Sequence, residues 1–403
     1  MKIAVIGLGK AGLPLAAVIA EAGIEVIGVD TDDKKVKLIN SGGNPVPEEP
    51  GLSEILKKQG GKGIVATSDY GFALKKCTMF IVIVPLFIDD NKKCDFSILD
   101  KAFSALAKGL KKGDLVVLET TVPPKTTEKH IRNLLEKNGM KAGEDFYLAY
   151  SPERIMTGYS ISRYREFPKV VGGIDPESGK RAAEAYGQFC SDVKVVSDCR
   201  TAELVKVAEG VYRDVNIALA NELSKVCEEY GVDFWEMRKH ANHQFCHIHE
   251  PGSVGGHCIP VYPWFLINNT DVPLIKFARD LNDDMIEHYI SKLPAGIKKV
   301  GVVGFSYRAG VKETAYTRSI PLLRSLEKKG FDAYVYDPMY STEEISGLGF
   351  KKLEDFSDVD AVIVMNKEEK ARDDLLEFDG LVIDVKGLIR DAEKKGYSER
   401  KKR

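Results

Sequence analysis

Cys258 is the residue most suited to covalent chemistry. It lies in the stretch Glu250 to Trp264, EPGSVGGHCIPVYPW, between a glycine-rich turn and a proline-bounded segment. Glycines lack a Cβ and let the backbone bend sharply against a ligand. A thiol held in such a turn can be offered to a carbonyl carbon as a nucleophile. Read alone, a cysteine so placed is far more often a small buried thiol beside an ordinary loop. A second group is Lys206, followed one helical turn later by Gly210, an arrangement that leaves room for a ligand beside the amine. A solvated lysine on a connecting helix is the plain alternative. A third is the run Gly7-Leu8-Gly9-Lys10-Ala11-Gly12, with G-x-G-x-x-G spacing. Placed between a strand and a helix, that spacing suits the pyrophosphate of a dinucleotide.

The elements needed to position these groups are legible around them. An apolar strand from Lys2 precedes the glycines, and a helix over 11–22 follows. A second strand, 25–29, ends in Asp30, placed for the adenosine ribose hydroxyls. That acid would repel a 2′-phosphate, which favours NAD over NADP. Strands over 79–84 and 114–118 put Pro85, Thr120 and Thr121 at strand C-termini, where ligands of such sheets collect. A strand over 146–149 leads to Glu153 and Arg154. From Cys199 to Tyr230 the period becomes helical, with Leu204, Val207, Val211, Val215, Ala218, Leu219, Leu223 and Val226 as the apolar stripe. Lys206, Gly210, Arg213, Ile217 and Asn221 share a neighbouring face. A helix over 273–293 and a hinge at 294–296 follow. A βα pattern then restarts at Lys299, with Tyr307 and Arg308 after its first strand, where an anion or nucleotide would sit. These patterns predict an α/β chain: a Rossmann domain over 1–198, a helical domain over 199–294 with the cysteine loop, and a smaller Rossmann-like domain over 295–403.

Bulk composition narrows the partners. The chain has 403 residues, 44% hydrophobic and 29% charged, with a formal net charge of -2. This is globular composition, with no bulk attraction to nucleic acid or an anionic membrane. The N-terminal apolar run is too short for a signal peptide or a membrane span. Seven scattered cysteines point to reduced thiols and a cytoplasmic setting. The histidines between 240 and 249, with His257 and Cys258, lack the paired spacing of a zinc site, so no metal is expected. The charged tail over 393–403 is expected to fray.

Taken together, the motifs GLGKAG at 7–12, SPER at 151–154, AELVK at 202–206, RDVNIALANE at 213–222 and GGHCIP at 255–260 give a resemblance. The chain resembles the nucleoside-diphosphate-sugar 6-dehydrogenases over essentially its whole length. It is most similar to the branch acting on UDP-N-acetylmannosamine. That resemblance implies oxidation of a sugar C6 alcohol to a carboxylate in two NAD-dependent steps. Cys258 would capture the aldehyde as a thiohemiacetal, and the second oxidation would leave a thioester for water to cleave. It also implies Lys206 serving the C6 oxygen, Thr121 holding the water and Glu153 as base. Arg154, Ile155, Gly210, Arg213, His243, Gly255, Tyr307 and Arg308 would contact the sugar nucleotide. A homodimer through the long helix, or a larger assembly, is implied too.

Several positions depart from the pattern. Gly210 replaces an asparagine, Tyr262 an aspartate, and Thr157 a second carboxylate. His243-Gln244-Phe245 stands for His-Pro-Arg. Ala315 replaces a cofactor-contacting arginine, with Arg318 close by as a substitute. UDP-N-acetylglucosamine and UDP-glucose remain alternative substrates. A two-electron β-hydroxyacid dehydrogenase, which needs no cysteine, and a non-enzymatic NAD-binding sensor are the alternative classes.

Overall fold

The apolar run after Lys2 forms the strand β1, Ile3–Ile6, every residue of it buried. A strand apolar on both faces belongs inside a parallel sheet covered by helices. In this computed structural model, which describes residues 2–155 and 158–389, the chain divides into two compact units, Met1–Glu209 and Gly210–Arg403. The division falls inside one continuous helix, Cys199–Tyr230. Thr157 and the 393–403 tail lie outside the described residues.

The first unit contains β1, β2 (Val26–Val29), β3 (Ile64–Thr67) and β4 (Met79–Val82). A small hairpin of β5 (Phe87–Ile88) and β6 (Cys94–Asp95) follows. Then come β7 (Leu115–Leu118), β8 (Tyr147–Tyr150), β9 (Lys169–Gly173) and β10 (Val193–Val195). The main sheet has the order β10-β9-β8-β7-β4-β1-β2-β3. It is parallel except where β9 runs against β8. The order reverses direction between β1 and β4, so a crevice opens beyond their C-terminal ends. The Gly7–Gly12 turn and Pro85 lie there.

The second unit is built on β11 (Lys299–Val303), β12 (Asp332–Tyr336), β13 (Lys351–Lys352), β14 (Ala361–Val364) and β15 (Leu381–Asp384). This parallel sheet has the order β13-β12-β11-β14-β15. Its reversal between β11 and β14 puts the loop of Tyr307 and Arg308 at the corresponding crevice. Helices Phe234–Ala241, Tyr262–Ile267 and Pro273–Ser291 belong to the same unit.

One expectation is corrected, and further elements are added. The apolar stripe of the long helix is only partly core: Val207, Val211 and Ala218 are buried, but Leu204, Leu219 and Val226 are exposed. The stripe is wider than the neighbours that the described residues supply. The strand β3 and the helices Asp33–Asn40, Leu52–Gln59 and Tyr70–Lys76 were not assigned from the sequence. They are short, and in the first helix only Ile39 is buried.

Candidate active site

In the first unit, the three motif glycines have different physical reasons. Gly7 takes φ +97°, and a Cβ there would lie 2.6 Å from the carbonyl oxygen of Ile83. At Gly12 a Cβ would lie 1.9 Å from the carbonyl oxygen of Gly7. At Gly9 it would meet nothing within 4 Å. Two glycines therefore hold the turn closed, and the middle one leaves open space for a ligand. Leu8 is buried, Lys10 pairs with Glu48 at 3.2 Å, and Ala11 begins a helix, Gly12–Glu21, that no side chain caps. An anion suits that end. Asp30 accepts from the amides of Leu8 at 2.9 Å and Asp32 at 3.0 Å, and from Lys35 Nζ at 2.9 Å. Burial pushes the Asp30 carboxyl up, but the bonds from Lys35, Asp32 and Leu8 outweigh it and hold the group below its ordinary range. It is a carboxylate at neutral pH. Cradle, helix end and carboxylate together fit NAD.

Beyond β4 and β7, the Thr120 hydroxyl donates to Val84 O at 2.6 Å, beside Pro85. The segment continues through Thr121 to Lys125, a non-glycine residue held at φ +77°. Glu203 secures that strained point. Its carboxylate accepts from Lys125 N at 2.6 Å, Thr127 N at 2.8 Å and Thr127 Oγ1 at 2.6 Å. Burial is the larger influence and pushes the Glu203 carboxyl up to about 7 against these bonds. Lys206 stands three residues later on the same helix, itself buried at 9% exposure. It is not a solvated lysine.

The loop after β8 has its own support. Ser151 Oγ donates to Val170 O at 2.8 Å, and Lys169 Nζ reaches Pro152 O at 3.4 Å. Lys169 pairs with the fully buried Glu119 at 2.9 Å, and Tyr186 OH donates to that carboxylate. Burial pushes the Glu119 carboxyl up, with Lys169 opposing. Glu153 accepts from the amide of Ile155, closing the loop on itself. Arg154 donates to Pro168 O at 3.1 Å and pairs with Glu209 at 2.5 Å. Its charge is therefore used within the protein, tying loop to helix.

In the second unit, Cys258 is exposed and outside any disulfide. Its carbonyl accepts from the amides of Val261 at 3.2 Å and Tyr262 at 3.0 Å, so the thiol stands just ahead of the helix Tyr262–Ile267. The preceding turn is fastened at two points. Asn221 of the long helix donates to Gly252 O at 3.1 Å and accepts from Gly252 N at 2.6 Å. Gly256, at φ +93°, donates to Tyr316 O at 3.2 Å, and a Cβ on it would lie 2.9 Å from the Tyr307 ring. At Gly255 a Cβ would lie 2.9 Å from Tyr316 O. His257 faces Glu313 at 3.7 Å. The cysteine turn thus packs on the loop that carries Tyr307 and Arg308.

Comparison with known proteins matches the UDP-glucose/GDP-mannose dehydrogenase family along most of the chain. Its NAD binding domain matches residues 1–190, its central domain 200–284 and its UDP binding domain 301–393. The chain belongs to the UDP-glucose/GDP-mannose dehydrogenase family. It is an NAD-dependent sugar-nucleotide dehydrogenase. It is 38% identical over 353 residues to the UDP-N-acetyl-D-mannosamine dehydrogenase of Methanococcus vannielii, covering 84% of this chain and 79% of that one. To the Campylobacter jejuni enzyme of the same name it is 33% identical, covering 91% and 96%. The structure of the UDP-D-ManNAc dehydrogenase from Pyrococcus horikoshii superposes with TM-score 0.80 at 31% identity, covering 92% of this chain and 90% of that one.

Within this family member, several departures acquire a physical reading. Arg318 is partly buried and bound to Asp283 O at 3.1 Å and Asp283 Oδ1 at 3.2 Å, so its charge is used within its own unit. His243 Nδ1 accepts from the amide of Phe245 at 3.1 Å, so the ring serves its own hairpin and Phe245 projects 87% exposed. Arg213 is exposed on the long helix. Gly210 faces Tyr262, and the two departures meet. Among the described residues, no group of three His, Cys, Asp or Glu side chains could hold a metal ion.

The sequence reading gave no role to Glu203, Asn221 or the Glu119–Lys169–Tyr186 cluster. Only Asn221 carried a signal, its shared helical face with Lys206. The partners of the others lie about 50 to 80 residues away in the chain.

Proposed function

We propose that this chain oxidises C6 of UDP-N-acetyl-D-mannosamine to the uronate through covalent capture on Cys258. What carries the reading is an exposed cysteine, held on the loop of Tyr307 and Arg308 in the unit that contains the UDP binding domain. The names of the Methanococcus and Campylobacter relatives support the sugar. Bound NAD supplies the hydride acceptor for both oxidations. Lys206 serves the C6 oxygen, balancing negative charge as the alcohol proton leaves. The Cys258 sulfur adds to the aldehyde carbon and retains it as a thiohemiacetal. After the second oxidation, water cleaves the thioester, releasing the carboxylate and restoring the thiol. Thr121 and Glu153 hold and activate that water. Ile155, Arg213, Gly255, Tyr307 and Arg308 contact the sugar nucleotide, while Gly210 seats the Tyr262 ring, His243 serves its own hairpin and Arg154 holds the loop in place through Glu209.

Asp30 makes NAD the preferred dinucleotide over NADP. The exposed Tyr212, Leu219 and Val226 of the long helix support a homodimer through that helix. Seven cysteines outside disulfides support a cytoplasmic setting. Another acetamido sugar is the second reading. It is supported by 34% identity to the NDP-N-acetyl-D-galactosaminuronic acid dehydrogenase of Ralstonia nicotianae, covering 80% of this chain and 79% of that one.

The test is a panel of UDP-N-acetylmannosamine, UDP-N-acetylglucosamine and UDP-glucose, assayed for NADH and for acid. Two NADH per sugar with the first substrate preferred is the expected result. One NADH per sugar defeats the covalent route, and equal rates with UDP-glucose defeat the substrate assignment.

A further inference from the structure

Gly210 is the only glycine in the helix Cys199–Tyr230. Helix propensity alone would favour alanine there. Packing explains its place. A Cβ at 210 would lie 2.5 Å from Cδ2 of Tyr262, 3.2 Å from Cγ and 3.3 Å from Cβ. Tyr262 is buried and packs on Phe265, which is also buried, with ring centroids 5.6 Å apart and the planes tilted by 34°. Its amide bonds to the carbonyl of Cys258 at 3.0 Å. The Cys258 backbone and the short helix that carries the ring are therefore hydrogen-bonded to each other, and the ring rests where residue 210 has no side chain.

We infer that Gly210 and Tyr262 are a matched pair of positioning residues, in which the Tyr262 ring seats on the bare helix surface at Gly210 and sets the position of the Cys258 turn. The inference rests on the covalent role proposed for Cys258. A methyl group at 210 would push the ring by roughly 1 Å to reach ordinary contact, and a shift of that size at a reacting centre costs about 10- to 100-fold. The two residues are not independent losses of polar groups. Tyr262 requires Gly210, since any side chain at 210 needs a smaller residue at 262.

Four proteins test this: wild type, Gly210→Ala, Tyr262→Ala and the double variant. Two readouts are needed, sugar-nucleotide turnover and the pH profile of Cys258 alkylation by iodoacetamide, followed on the cysteine peptide. Gly210→Ala is expected to lower kcat about tenfold or more, leave NAD affinity unchanged and shift the alkylation profile. In the Tyr262→Ala background, adding Gly210→Ala should change either readout by less than about twofold, because the ring it would displace is gone. Wild-type behaviour of Gly210→Ala in both readouts overturns the pairing, and so do equal losses in the two backgrounds. If Gly210→Ala does not fold, Tyr262→Phe against Tyr262→Ala decides. The phenylalanine variant should keep the thiol profile and the alanine variant shift it, and an unshifted alanine variant overturns the inference. If wild type makes no NADH from any sugar nucleotide, the proposed activity fails, while alkylation still tests the pair.

Discussion

The first turn of each sheet begins in the same way and ends differently. Gly7 leaves β1 at φ +97° with its amide on Val29 O at 2.8 Å, and Gly304 leaves β11 at φ +93° with its amide on Tyr336 O at 2.9 Å. The next amide, of Leu8 or Phe305, donates to an aspartate after the neighbouring strand, Asp30 or Asp337, at 2.9 Å in each case. Each aspartate also accepts from the amide two residues on, at 3.0 Å. Then the turns part. The first enters its helix at Gly12. The second runs on to Ser319, and Tyr307, Glu313 and Tyr316 of that longer loop hold the Cys258 turn. Asp30 also binds Lys35 and stays at the rim, while Asp337 is buried with a third amide, that of Ser306. The shared geometry is a way of leaving a parallel strand. The length of chain before the helix decides whether the turn receives a dinucleotide or supports a second loop.

The largest expected break in this comparison is Cys258→Ser. It should reduce acid formation on the order of 1000-fold or more while NAD titration of the first unit stays unchanged. A variant that still makes acid at a near-normal rate would return the second turn to a purely structural role.

Next comes the closed side of the first turn. Gly12→Ala should destabilise the protein by about 3 kcal/mol and abolish NAD binding, because the clash is with backbone. Gly9→Ala should melt at the wild-type temperature and only weaken NAD. Thermal melts beside NAD titrations check both, and equal damage at the two positions would remove the distinction between holding and receiving glycines.

Glu203 probes the segment beside that turn. Its folded-state carboxyl lies near 7, above the ordinary value of 4.5. Between these values the folded state binds more protons than the unfolded one. Stability should therefore fall as pH rises through that window and level off above it, with a slope of at most about 1.4 kcal/mol per pH unit. Urea unfolding at several pH values, wild type minus Glu203→Gln, should show that slope. A flat difference would place the proton elsewhere.

The smallest effects separate the two aspartates. Asp337→Asn should cost about 1 kcal/mol of stability and leave NAD affinity intact. Asp30→Asn should weaken NAD roughly tenfold and narrow its advantage over NADP. If both changes act on NAD alike, the two turns are not functionally distinct.

Much of this was legible in the sequence. Cys199–Tyr230 was read with its observed bounds, since its thirty-two residues carry one strong period. The G-x-G-x-x-G turn and Asp30 were legible because a short stretch of chain makes the whole cradle. Glu203 was not, since a glutamate on an amphipathic helix looks like a solvated residue until Thr127 is folded against it. Gly210 and Tyr262 looked like two separate departures, because their contact joins distant parts of the chain. Leu219 and Val226 look like core by period, but none of the described residues covers them.

Asn221 and Gly210 give the long helix a further property. Both touch the segment that carries Cys258, one through the backbone of Gly252 and the other through the ring of Tyr262. They stand three turns apart, roughly 16 Å along the axis, and nearly in line on one side. The helix is therefore a gauge bar with two marks, and the cysteine segment is cut to the distance between them. One residue inserted between the marks would turn one of them about 100° away from the other, so the segment would keep one anchor and lose the other. Deletions and insertions in this stretch should be far less tolerated than substitutions, even at its exposed positions.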